Sequence, residues 1–274
     1  WSLTTFTQLN DAEEMLGPFA KLWKTADLFS KSFRTWVNGS VYKLDGEQVQ
    51  KDVDEMWRVN FKLVKTLTAQ GAMPAVAVAE KVKAKLEEFR KNIPLICAVS
   101  NDGLRERHWK EMSKVVGFPL KRDEGTSLQR LLDMGVIDHV EGLSGVSETA
   151  SKEWSIEKAL EKMEGDWQIM TFVLHAYKDT GTYILEGANV DEVQTLLDDH
   201  LVKTATMKSS PYAGSFSVRI QTWENQLNHL LALTDEWLKV QATWQYLQPI
   251  FGHEDITKQM PSESKKFETV DRYW

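Results

Sequence analysis

"TWENQLNHLLALTDEWLKVQATWQYLQPIF", Thr222–Phe251, is the stretch on which the fold turns. It holds three tryptophans and a run of leucines, with no glycine and no proline before Pro249. From Phe216 the seam runs Ile220, Trp223, Leu227, Leu230/Leu231, Thr234, Trp237/Leu238, Gln241 and Trp244, with Leu247 and Phe251 flanking its end. These steps of three and four are one face of a helix. Unbroken from Ser215 to Gln248, such a helix is about 50 Å long at 1.5 Å per residue, several times the usual length. It suits the spine of a body that must keep its shape better than the wall of a compact pocket. The polar seam positions Thr234 and Gln241 are the places where such a rod is expected to yield.

Working outward, helical periodicity dominates. Leu16, Phe19, Trp23, Ala26, Phe29, Phe33 and Trp36 predict one apolar face between Leu9 and Val37, with Gly17-Pro18 as a possible break and "VNGS" as the end. Asp45 stands at an N-cap position before a helix carrying Val49, Val53, Met56/Trp57, Asn60, Val64 and Leu67 on one side. A third helix starts near Pro74 and is bent or ended at Pro94. A fourth, "LRERHWKEMSKVVG", closes at Gly117. After a polar loop come a short helix, "SLQRLLDMG", and a longer one over Val140 to Gly165. The pattern then changes. "IMTFVLHAYKDTGTYILEG" places β-branched and aromatic residues on both sides of Lys178-Asp179-Thr180-Gly181, which predicts a β-hairpin near 169–187. Helix resumes in "VDEVQTLLDDHLVKTATM", and "KSSPYAGSF" (208–216) is the densest group of helix breakers. The expected class is mainly α, an elongated multi-helix bundle with one small hairpin. Three parts are expected: 1–138, 139–207 and 208–274.

The totals exclude several functions. The 274 residues are 42% hydrophobic and 27% charged with seven prolines, a globular composition. Eleven tryptophans point to extensive packed surfaces, and a net charge of −7 argues against nucleic acid as a partner. A lone cysteine, Cys97, rules out an internal disulfide and a cysteine-based zinc site, and fits a reducing compartment. Asn38-Gly39-Ser40 matches a glycosylation sequon but reads as a turn. No apolar run reaches the roughly 20 residues that span a bilayer, so no membrane is expected as a partner. The chain starts at Trp1 and stops within the helical pattern of "FETVDRYW", as expected of a piece of a longer polypeptide.

No catalytic constellation emerges. Walker A, G-x-G-x-x-G, H-E-x-x-H, C-x-x-C and G-x-S-x-G patterns are all missing from the sequence. Six histidines lie on separate elements: His108 beside Trp109 reads as structural, and Asp198-Asp199 beside His200 reads as a solvated face. Adjacent helical side chains diverge by about 100° and do not converge on an ion. No catalytic, cofactor-binding or metal residue is expected.

Specific phrases carry more. "NDGLRERHWKEMSKVVGF", "SIEKALEKMEGDW", "YKDTGTYILEG", "LLDDHLVKT", "DEWLKVQATWQYLQPIF" and "DITKQMPSESKKFETVDRYW" follow one another from Asn101 to the end. In that order they resemble the linker region of dynein heavy chains, and "DTGTYIL" and "LLDDH" resemble the axonemal type. Asn101-Asp102-Gly103 departs from the family, where a proline is more usual. The resemblance implies a mechanical part that lies across an AAA+ ring and joins it to the cargo-binding tail. Its change of shape with the nucleotide state of the ring is the power stroke along microtubules in cilia and flagella. ATP and Mg then belong to the ring, and no cofactor is expected in this segment. The implied partners are the ring of the same heavy chain, and the tail with its associated chains. On this basis Ser209, Ser210, Pro211 and Gly214 are hinge candidates, and the turn Lys178, Asp179, Thr180 and Gly181 is a candidate contact to the ring. A static helical scaffold or spectrin-like tether is the competing expectation, weakened by the lack of a repeat near a hundred residues.

Overall fold

The computed structural model describes residues 7–274, without the side chains of Leu9 and Asn10. Trp1 lies outside the described residues. In chain order the elements are α1 (Thr7–Asn38), α2 (Gly46–Ala69), α3 (Met73–Arg90), α4 (Ile93–Val99), α5 (Glu106–Val116), α6 (Leu128–Asp133) and α7 (Val140–Ile169). There follow β1 (Leu174–Tyr177), β2 (Thr182–Leu185), α8 (Gly187–Lys208), α9 (Ser217–Phe251), α10 (Glu254–Gln259) and α11 (Pro261–Tyr273). The fold is mainly α, as expected, and its one sheet among the described residues is the antiparallel pair β1–β2. No helix of the described residues is long and apolar enough to cross a membrane.

The chain forms two compact units, one up to Trp154 and one from Ser155 to Trp274. The surplus of seven acidic charges falls in the second, since residues 1–154 are balanced.

In the first unit, α2 and α3 form an antiparallel pair against which α1 lies. Asp45 accepts a hydrogen bond from the Gln48 N–H at 3.0 Å and so caps α2. Ser127 caps α6 in the same way through the Arg130 N–H, and Gly117, at φ 81°, ends α5 in the left-handed region. The main core joins Trp36, Val53, Met56, Phe89, Leu95, Ile96, Met112 and Leu131. Tyr42 is drawn into it and donates to the Lys121 carbonyl at 3.2 Å, and burial pushes its phenol up to about 12.

Two expectations fail here for identifiable reasons. Gly17-Pro18 does not break α1, because Pro18 sits within the helix and its missing N–H falls in the exposed early turns. Pro94 does not end α3, which has stopped at Arg90; it occupies the first turn of α4, where a proline costs no hydrogen bond. The apolar face expected for α1 is also only partly buried. Leu22, Phe29, Trp36 and Val37 are inside, whereas Leu16, Trp23 and Phe33 stay exposed, Trp23 at 60%.

The turn at 101–103 fastens to α7. Asn101 Nδ2 donates to Ser147 Oγ at 2.8 Å and to Ser151 Oγ at 2.7 Å, while its Oδ1 accepts from the Gly103 N–H. A Cβ on Gly103 would lie 2.8 Å from the Ala150 carbonyl oxygen and 3.0 Å from Trp154 Cβ. Gly103→Ala therefore lowers stability by about 1–3 kcal/mol through overpacking. Gly145→Ala, on the open side of α7 with nothing within 4 Å, raises it by about 0.5–1 kcal/mol. Urea unfolding followed by tryptophan fluorescence measures both.

Candidate functional site

The expected mechanical elements all lie in the second unit and meet on α9. Its 35 residues form one helix, with Pro249 tolerated in its last turn. Ile220, Trp223, Leu227, Thr234, Gln241 and Trp244 are buried, and Leu230, Leu231, Trp237, Leu238, Leu247 and Phe251 are half-buried. The seam read from the sequence is thus the face that packs. Its head joins Ile156, Leu160 and Met163 of α7 and Val193 and Leu197 of α8 in one core.

Polar ties fix this packing. Arg219 Nε and Nη2 donate to the two carboxylate oxygens of Glu164 at 3.1 and 2.7 Å, a fork between α9 and α7. That hydrogen-bonded carboxylate holds the Arg219 guanidinium above its ordinary range. Between α7 and α8, Trp167 Nε1 donates to Nδ1 of the buried His200 at 2.9 Å. His200 Nε2 lies 3.6 Å from Asp166. Desolvation holds this histidine below its ordinary value despite Asp166 and Asp199. His108 repeats the arrangement in the first unit: its Nδ1 accepts from the Arg105 N–H at 3.0 Å, its Nε2 is 3.2 Å from Glu153, and desolvation lowers its pKa. Asp199 pairs with Lys203 at 2.6 Å. Among the described residues no group of three His, Cys, Asp or Glu side chains is placed to hold a metal ion.

The hinge candidates form a hydrogen-bonded connection between α8 and α9. The Ser209 hydroxyl donates to the Thr206 carbonyl at 2.8 Å, and the Ser210 N–H donates to the Met207 carbonyl at 3.0 Å. The Ser210 hydroxyl and carbonyl accept from the N–H groups of Tyr212 and Ala213 at 3.3 and 3.1 Å. Pro211 and Gly214 are exposed, while Ala213 between them is buried in the core. A Cβ on Gly214 would meet nothing within 4 Å. Lys208 and Glu224 bridge the connection from helix to helix at 2.6 Å.

The hairpin is shorter than expected, 174–185 against 169–187, because α7 runs on to Ile169. Lys178 and Gly181, at φ 48° and 74°, turn the chain, with Lys178, Asp179 and Gly181 exposed and Thr180 half-buried. The base of the hairpin is anchored firmly. The Leu185 N–H donates to Gln241 Oε1 at 2.7 Å, and Gln241 Nε2 donates back to the Leu185 carbonyl at 3.4 Å. A side-chain amide of α9 thereby pairs with β2 as a neighbouring strand would. Tyr177 meets Trp244 edge-on at 5.4 Å, and Phe172 meets Trp237 at 5.6 Å. Asn189 seals the entrance by accepting from the Val173 N–H and donating to the Thr171 carbonyl.

Of the two expected weak points, Gln241 is tied to β2, whereas Thr234 bonds only within its own helix. Thr234 is fully buried, with its hydroxyl on the Leu230 carbonyl at 2.9 Å. The sequence also missed the return of α11 onto the end of α9. Trp244 Nε1 donates to Asp271 at 2.9 Å and its ring stacks on Trp274 at 5.5 Å, while Phe251 stacks on Phe267 at 5.1 Å. The signal for it was Pro261 at a helix start followed by Phe267 and Asp271 at helical steps.

With this geometry in hand, comparison with known proteins gives the class. The family described as Dynein heavy chain, N-terminal region 2, matches residues 9–274. The chain belongs to this dynein heavy chain family. It is 40% identical over its whole length to mouse (Mus musculus) dynein axonemal heavy chain 3, of which the match covers 7%. It is 39% identical over 99% of its length to human (Homo sapiens) dynein axonemal heavy chain 1, covering 6%, and 38% identical over 100% to rat (Rattus norvegicus) dynein axonemal heavy chain 12, covering 9%. The chain thus spans less than a tenth of these relatives.

Two measurements test these ties. Gln241→Ala leaves the backbone of Leu185 unpaired, costs about 1–3 kcal/mol, and speeds hydrogen exchange of the 174–185 amides more than those of α8. For the histidines the native pKa lies below the unfolded one, so the unfolded chain takes up more protons. Stability is then complete above about pH 6.5 and falls as pH drops from there toward the native pKa. The melting temperature is expected to be flat near neutrality and to fall in mild acid, with a smaller fall in His200→Gln.

Proposed function

We propose that this chain is the mechanical linker of an axonemal dynein heavy chain, working in cilia or flagella as a lever that carries strain from the ring to the tail. The family membership and the axonemal relatives support the setting. The observation that carries the lever is the 35-residue α9, packed along its buried seam and joined to α8 through a short connection at 209–216. Close-packed helices deform little, so they transmit force, while a short connection with exposed Pro211 and Gly214 takes up rotation. ATP binding and hydrolysis fall to the AAA+ ring of the same heavy chain, which acts as a microtubule-dependent ATPase motor. The hairpin turn 178–181, held rigidly at its base and open at its tip, is the proposed contact to that ring. The tail and its associated chains are the partners at the other end.

The test uses the full motor with Gly214→Ala and Ser210→Thr, which narrow backbone and rotamer freedom without steric conflict at Gly214. Microtubule-gliding velocity is expected to fall at least about twofold while ring ATPase changes far less, since a shape change and not the chemistry has been stiffened. Equal loss of both rejects the hinge. Structures of the motor in two nucleotide states settle the wider reading: a lever changes its internal angle, and a static tether keeps one.

A further inference from the structure

The three-helix bundle of the first unit lacks a continuous core. Leu22 of α1, Leu63 and Leu67 of α2, and Val76 and Ala79 of α3 form one buried cluster. Phe29 and Trp36 of α1, Val53 and Met56 of α2, and Leu86 and Phe89 of α3 belong to another. Between them the buried positions are polar: Thr25, 8% exposed, and Asn60, fully buried.

Neither residue ties one helix to another. The Thr25 hydroxyl donates to the Lys21 carbonyl at 2.8 Å and Asn60 Nδ2 to the Met56 carbonyl at 3.0 Å, each within its own helix. Asn60 Oδ1 is buried with no hydrogen-bond partner among the described residues. A buried carbonyl left without a partner weakens packing at its level. From this level a groove of about 380 Å³ runs along the inner half between α1 and α2, lined by Thr25, Leu28 and Ser32 on one side and Asp52, Met56 and Val59 on the other. The flank between α2 and α3, by contrast, is bridged. Trp57 stacks on Phe61 at 5.3 Å, Lys83 Nζ lies 5.5 Å from the Phe61 ring, and Trp57 Nε1 donates to Glu87 at 3.0 Å.

We infer that the bundle is divided at Thr25 and Asn60 into two separately cooperative halves. The outer half comprises α1 before Thr25, residues 61–69 of α2 and residues 73–80 of α3. It opens as one unit, parting at the layer of Thr25 and Asn60, while the inner half stays folded. A polar layer with no cross-helix bond breaks the cooperativity that a continuous apolar core would impose. The division supplies compliance away from the 209–216 connection, and it stands whether or not the lever reading does.

Hydrogen–deuterium exchange on the full-length chain, read by mass spectrometry at peptide resolution, tests it. Protected amides within 61–67 and 76–80 are expected to share one exchange rate, at least about tenfold faster than amides within 50–56 and 86–90. Simple fraying predicts a smooth gradient from the turn at Gly71 inward, and that result overturns the inference. So does exchange of both halves together. Asn60→Leu, which joins the two clusters, is expected to slow the outer amides at least about tenfold and leave the inner ones unchanged. If that variant misfolds, the uniformity or gradient in the unaltered chain decides.

Discussion

The second unit is organised by one constraint: an apolar seam running the length of a 35-residue helix must be kept from water at nearly every turn. No single neighbour reaches that far, so four different elements share the task. The head of α9 is covered by α7 and α8 through Ile156, Leu160, Met163, Val193 and Leu197. Its middle meets Phe172 and the base of the hairpin, and its end meets α11 through Trp274 and Phe267. Remove any one and a stretch of seam is stranded. Burial of a large apolar side chain contributes about 1.5–3 kcal/mol, and an aromatic pair about 0.5–1.5 kcal/mol more. Exposed pairs such as Lys239–Glu236 contribute a few tenths, so the seam and not the surface charge decides stability in this unit.

The hairpin depends on that seam and gives something back. A four-residue pair of strands is marginal alone in water. Here Gln241 offers its amide to both backbone groups of Leu185, and Asn189 does the same for Thr171 and Val173. Two side-chain amides thus replace a third strand. The same use of neutral polar groups as ties recurs at His108, His200 and Asn101. Each is buried or half-buried: His200 and Asn101 join one segment to another, and His108 closes the first turn of α5.

Family membership places these ties in the N-terminal region of a dynein heavy chain. Much of the fold was readable from local signals. Asp45, Ser127 and Gly117 announce their helix ends because caps are made by residues a few positions apart. The seam of α9 was readable because periodicity depends only on spacing. The failures share a cause. For α1 the spacing of Leu16 and Trp23 is as helical as that of Leu22, but only Leu22 finds α2 and α3 beside it. Gln241 looked like a flaw because the strand that satisfies it lies 56 residues earlier in the chain.

The amino-acid sequence by itself determined most of the helices, the place of the hairpin, the face of α9 that packs and the family. Each is written in residues close together or in an ordered series of short phrases. Only the tertiary structure decided which apolar faces are covered, that α11 folds back on Trp244, that Gln241 serves β2, and that the core of the first bundle is interrupted at Asn60. Those outcomes rest on contacts between residues far apart in the chain, and neither periodicity nor propensity carries information about which distant surface will arrive to make them.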